Sequence, residues 1–96
     1  MEYKEAEKNY KVLANRRRIA ILVYLLEEKT ANVGRIAGRI DLSFKSTSKH
    51  LQRLRSIGFV TSKQVDLEQY YELTEPRSIF LKHLFEALSF ISNSHE

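Results

Sequence analysis

From Leu42 to Val65 the chain carries Lys45, Lys49, Arg53, Arg55 and Lys63 and not one acidic residue. Ammonium and guanidinium groups neutralise phosphates or reach guanine O6 and N7, and a glutamine such as Gln52 can pair with adenine N6 and N7. Ser43 and Ser46, with the free N–H groups of a helix's first turn, can hold a phosphate. At ~100° per residue, Lys45, Lys49, Gln52, Arg53 and Ser56 share one arc of a helix, with Ser46 and Ser48 on its flanks. Phe44, Thr47, Leu51, Leu54 and Gly58 fall on the opposite arc, which is expected to pack on a core. Any surface helix is polar outside. The absence of acids and the small serines, which let a backbone approach closely, point instead to the edge of duplex DNA. The expected contacts are Ser43, Lys45, Ser46, Ser48, Lys49, Gln52 and Arg53.

The elements that must position this arc follow from hydrophobic spacing. Tyr3, Ala6, Tyr10 and Leu13 predict a first helix. Asn15 is an N-cap for a second, whose Ile19, Leu22, Val23 and Leu26 follow the i, i+3, i+4, i+7 pattern. Val33, Ile36, Ala37 and Ile40 predict a short third helix that Asn32 can cap. After the break Asp41-Leu42-Ser43, Ser43 caps a fourth helix over about 43–57, and Gly58 stops it. Phe59 to Val65 and Tyr70 to Leu73 are rich in β-branched and aromatic residues, which predicts a hairpin with 66–69 between its strands. Thr74 or Glu75 can cap a last helix with Pro76 in its first turn.

The expected fold is mainly α with a small β-hairpin, a winged helix-turn-helix in the order α-α-α-α-β-β-α. A short helix, a three-residue turn and a longer helix form the pair whose second helix enters a DNA major groove. The hairpin is then a wing, with Lys63 and Gln64 near its tip as candidates for the adjacent backbone or minor groove. Phe59, Val60, Tyr71 and Leu73 are expected in the core. Asp66 and Glu68 would repel phosphates, so the tip is expected to point away from DNA or to grip weakly.

Composition narrows the classes. Ninety-six residues suit one domain, 1–96, with a core small enough for a partner chain to share. No cysteine is present, which removes disulfides, zinc-thiolate sites and thiol chemistry from this chain. The longest apolar run, Ile19 to Leu26, falls far short of the roughly 20 residues that span a bilayer. No membrane partner and a cytoplasmic location, on the nucleoid when DNA is bound, are expected. Residues 1–28 net +1, residues 29–65 net +7 and residues 66–96 net −4, so the basic charge is concentrated where the arc lies. An enzyme is not expected. The glycines at 34, 38 and 58 form no phosphate loop, and His50, His83 and His95 have no serine or acid at motif spacing. His50 reads as a partly buried packing residue or a phosphate contact.

Particular residues also resemble a family. Val12-Leu13-Ala14-Asn15-Arg16-Arg17-Arg18-Ile19-Ala20-Ile21-Leu22 is similar to the opening signature of ArsR-type winged-helix repressors. Residues 42–51, with serine at the cap and His50-Leu51 at the end, resemble that family's recognition segment. Residues 53–60 and 70–74 extend the likeness into the wing, so that it covers about 12–74. The resemblance implies a homodimer on a pseudo-palindromic operator that blocks transcription until an effector, unknown here, releases it. Metal-sensing members place cysteines where this chain has Asn32 and Gly34. Another family metal site pairs Asp-x-His with His-x-x-Glu; His83 and Glu86 match only its second half, and Tyr70-x-Glu72 stands where the first would fall. No metal and no cofactor are expected.

The last helix carries apolar residues on more than one face, which calls for a second partner, and a copy of the chain is the simplest one. Tyr3 and Tyr10 of the first helix with Phe80, Leu81, Leu84, Phe85, Leu88 and Ile91 of the last are the expected dimer interface. The alternative to a sequence-specific dimeric repressor is a winged-helix module for protein contact or non-specific nucleic-acid binding.

Overall fold

Three polar side chains start three helices. The Asn15 Oδ1 accepts from the N–H groups of Arg17 and Arg18 at 3.0 and 3.1 Å and opens α2 (Arg16–Glu28). The Asn32 Oδ1 accepts from Arg35 N–H at 2.9 Å and opens α3 (Val33–Ile40). The Ser43 Oγ accepts from Ser46 N–H at 3.1 Å and opens α4 (Phe44–Ser56). Each cap satisfies donors that the helix itself cannot. The remaining elements of the computed structural model, which describes residues 2–93 and their side chains to Phe90, are α1 (Tyr3–Leu13), β1 (Thr30–Asn32), β2 (Val60–Val65), β3 (Glu68–Leu73) and α5 (Arg77–Asn93).

Strand β1 is an addition to the expected order. It makes the sheet three-stranded and antiparallel, β1-β3-β2, with Ala31 opposite Tyr71 and Tyr71 opposite Ser62. Three residues are too few to show alternation, and their partner lies some forty positions away. The hairpin is also tighter than its composition suggests. Glu68 and Gln69 pair with Val65 and Gln64, leaving a two-residue turn at Asp66-Leu67 with Asp66 at φ 57°.

Helix α2 lies at the centre, against α3, α4, α5 and the sheet. Its buried residues are Ile21, Leu22, Tyr24 and Leu25, while Ile19, Val23 and Leu26 are half-buried. The expected stripe thus turns by about a residue, because a helix covered from several sides buries a broad arc. Ile36, Leu51, Leu54, Phe59, Val60 and Leu81 close the core around it.

Two expected placements are corrected. Phe44 was assigned to the inner face of α4, but it stands 63% exposed in the first turn, before the helix reaches the core; Thr47, Leu51 and Leu54 hold that face. Leu81 was assigned to the dimer surface, but it is fully buried within the chain's own core, and Leu84 and Phe85 pack half-buried beside it. These three form one stripe of α5. Ile79, Phe80, Leu88 and Phe90 remain exposed around the rest of the helix. The side chain of Ile91 lies outside the described residues.

The end of α4 is fastened to the start of α5 through one residue. Gly58 has φ +88°, and its carbonyl accepts from Thr74 Oγ1 at 2.6 Å and from the Arg77 guanidinium at 2.9 Å. That guanidinium also lies 5.2 Å from the centre of the Phe59 ring. A Cβ at position 58 would meet Arg77 Nη1 at 2.8 Å. Gly58→Ala is therefore expected to cost about 1–2 kcal/mol, from the left-handed backbone alone, in chemical denaturation at fixed protein concentration. An unchanged midpoint would show that the turn relaxes freely.

Candidate nucleic-acid interface

Helix α4 presents the expected arc. Lys45, Lys49, Gln52, Arg53 and Ser56 are exposed along it, with Ser46 and Ser48 half-buried on the flanks. Ser43 is exposed but already uses its hydroxyl oxygen as the cap, so a ligand there would receive its O–H. Ser56 donates to the Arg53 carbonyl at 2.8 Å. The ion pairs formed among the described residues join Lys11 to Glu7 and Arg35 to Glu28; none involves Lys45, Lys49 or Arg53. The charge of the arc is left for an external anion.

The wing candidates are separated by the pleat. Residues paired across antiparallel strands point to the same side, and neighbours along a strand to opposite sides. Lys63 therefore shares a face with Tyr70, whereas Gln64 shares the other with Gln69, whose side-chain amide donates to Gln64 Oε1 at 3.3 Å. Gln64 also donates to the Asp66 carbonyl at 3.2 Å, so its amide is engaged within the turn. Glu68 is drawn toward β1, accepting from Asn32 Nδ2 at 3.2 Å and from the Tyr70 hydroxyl at 3.3 Å.

Sequence reasoning did not assign the arginines behind α4. The Arg17 guanidinium donates to the Ile40 carbonyl at 2.8 Å, tying the start of α2 to the end of α3. Arg18 Nε donates to the Val12 carbonyl at 2.7 Å, closing the end of α1. His50 sits half-buried on α4 near both. Burial first, then Arg18 and Arg17, push its pKa below the ordinary histidine value. Burial and Arg53 lower that of Arg18. The available signal was three arginines directly after a helix cap, where the positive end of the helix dipole disfavours them.

Several solved structures share this fold. HlyU from Vibrio cholerae is 30% identical over 91% of this chain and 97% of its own, with a TM-score of 0.81. Mb0332 from Mycobacterium bovis is described as a homodimeric winged helix-turn-helix DNA-binding domain and a possible ArsR-family transcriptional regulator. It is 26% identical over 98% of this chain and 86% of its own, with a TM-score of 0.85. NolR from Sinorhizobium fredii is 28% identical over 93% and 85%, with a TM-score of 0.80. No protein-family model and no curated protein matches the sequence.

The environment of His50 fixes the sign of a pH effect. A folded-state pKa below the unfolded one favours the neutral ring in the native protein. Its stabilisation is full above the unfolded value of about 6.5 and is lost as pH falls to and through the lower folded value. In an NMR titration the His50 ring is expected to change charge below pH 6.5, and His50→Gln should flatten the decline of stability on acidification. A midpoint at or above the ordinary value would contradict the placement of His50 beside the two arginines.

Proposed function

Given that the chain belongs to the ArsR family of winged helix-turn-helix transcriptional regulators, we propose that it binds duplex DNA as a homodimer, reads sequence through α4 and represses transcription. The observation that carries this is the exposed arc of Lys45, Lys49, Gln52 and Arg53, free of intramolecular carboxylates. Lys45, Lys49 and Arg53 take phosphates or guanine edges, and Gln52 takes an adenine edge. Ser43, Ser46 and Ser48 allow close approach of the backbone, and Lys63 extends the contact from the wing. Phe44, exposed where α4 begins, suits the methyl group of a thymine.

The dimer follows from what the chain leaves uncovered. Tyr3, Tyr10, Phe80 and Leu88 are exposed on α1 and α5. Between these helices runs a groove of about 450 Å³, lined by Tyr10, Leu13, Phe59 and Phe80. A second copy covers this surface and sets two α4 helices about one DNA turn apart, ~34–36 Å, to read two half-sites. The whole chain acts as one unit, non-enzymatic and cytoplasmic; its neighbours are regulators, and no described helix is long and apolar enough to cross a membrane.

Selection from a random duplex pool at low and physiological salt is expected to enrich an inverted repeat with half-sites one turn apart. Salt-sensitive binding without enrichment would mean an architectural binder, and no binding at either salt would favour a protein-contact module. Lys49→Ala and Arg53→Ala should each weaken binding and, with two copies on the DNA, lower the salt slope by about two, whereas Gln52→Ala should remove about 1–3 kcal/mol of base discrimination per half-site. Unchanged affinity in the first two, or a uniform loss in the third, would argue against these roles. For the dimer, Phe80→Glu and Leu88→Glu should sediment as monomers with native helicity. A dimer that survives both changes would place the interface elsewhere.

A further inference from the structure

Beside the reading helix lies a second basic feature. Arg16, Arg17 and Arg39 line a concavity of about 590 Å³ between α2 and α3, with Tyr24, Ile40 and, toward the other end of α2, Glu27. Arg17 is held by the Ile40 carbonyl, and Arg39 lies 5.7 Å from the centre of the Tyr24 ring. Arg16 and Arg39 are exposed, and neither forms an ion pair among the described residues. Asp41, directly after α3, is exposed and likewise makes no ion pair with them.

The placement of Arg16 runs against helix electrostatics. The first turn of α2 holds three arginines and no acid, although the dipole favours the reverse. Arg17 and Arg18 have intramolecular reasons to be there, in their carbonyl hydrogen bonds; among the described side-chain hydrogen bonds Arg16 has none. A side chain that breaks a local rule with no internal compensation marks a functional surface.

We propose that Arg16 and Arg39 form a second phosphate-binding rim, which takes the sugar-phosphate backbone of the duplex outside the stretch read by α4. The proposal rests on the duplex reading above. The Arg17–Ile40 bond sets this rim at the end of α3, three residues before α4 begins, where exposed Asp41 is the acid between the two basic surfaces and forms no ion pair with Arg16 or Arg39. Guanidinium forks match phosphate oxygens in pairs, and the open concavity leaves both forks accessible. Such contacts add affinity on every sequence and discriminate none.

The test is the salt dependence of binding by the full chain to a mixed-sequence duplex longer than two helical turns. Each phosphate contact contributes about 0.9 to the slope of log K against log salt, so the R16A/R39A variant, which removes two contacts from each copy of the dimer, should have a slope shallower by about three to four. Arg16→Ala alone, which disrupts none of the described side-chain hydrogen bonds, should lower it by about two, and R16K/R39K should keep the wild-type slope. Wild-type slopes in R16A and R16A/R39A, with the parent binding normally, would overturn the rim and leave the α4 reading intact. An equal loss in R16K/R39K would reveal a packing role and overturn it as well. A parent chain that binds no duplex would overturn the proposed function, and the rim with it.

Discussion

A guanidinium that donates to a backbone carbonyl is held in place without being neutralised. Arg17 fastens α2 to the end of α3 in this way, and Arg18 fastens it to the end of α1. A carboxylate partner would hold each arginine as well, but it would cancel the charge at the surface where α4 begins. With carbonyl partners, the same side chains position the helix-turn-helix and add to its field. Burial first, and after it repulsion from the neighbouring arginines, lowers the pKa values of His50 and Arg18. In the free protein the carbonyl hydrogen bonds hold the cluster together, and a bound polyanion would offset the repulsion.

The position of α4 depends on a second fastening at its other end. Gly58 turns the chain out of the helix while its carbonyl receives both Thr74 and Arg77. Arg77 opens α5, the helix whose inner stripe, Leu81, Leu84 and Phe85, packs on the core and whose Ile79, Phe80, Leu88 and Phe90 are exposed. Helix α5 is thus joined to the core by its inner stripe and to the end of α4 through Arg77 and Gly58.

What was legible in the sequence was mostly local. Asn15, Asn32 and Ser43 announced their helices because a cap is a contact between residues two or three apart. The polar arc of α4 was legible because helical period alone assigns it. Strand β1 was not, since Ala31 becomes a strand residue only by pairing with Tyr71. Leu81 and Phe44 were misplaced for a related reason. Spacing shows that a helix has an apolar face, but the angle at which it meets the core, and where along its length contact starts, is set by the other elements. The arginines behind α4 were quoted as part of a resemblance and given no task, because their carbonyl acceptors belong to neighbouring helices.

The pleat also limits what the wing can do. Lys63 and Gln64 are neighbours in sequence but point to opposite faces, and Gln64 is engaged with Asp66 and Gln69. A hairpin laid against a duplex therefore brings Lys63 alone of the pair on its outer face, or an occupied amide on its inner one. At the tip, Leu67 is almost fully exposed beside Asp66, and only Glu68 is restrained, by Asn32 and Tyr70. One cation and an acidic turn cannot supply much electrostatic attraction. In the proposed complex most of the phosphate contact then falls to helices: the arc of α4 and, beside it, the arginines that open α2 and close α3. The surplus of positive charge in residues 29–65 and at the start of α2 lies where that division of labour requires it.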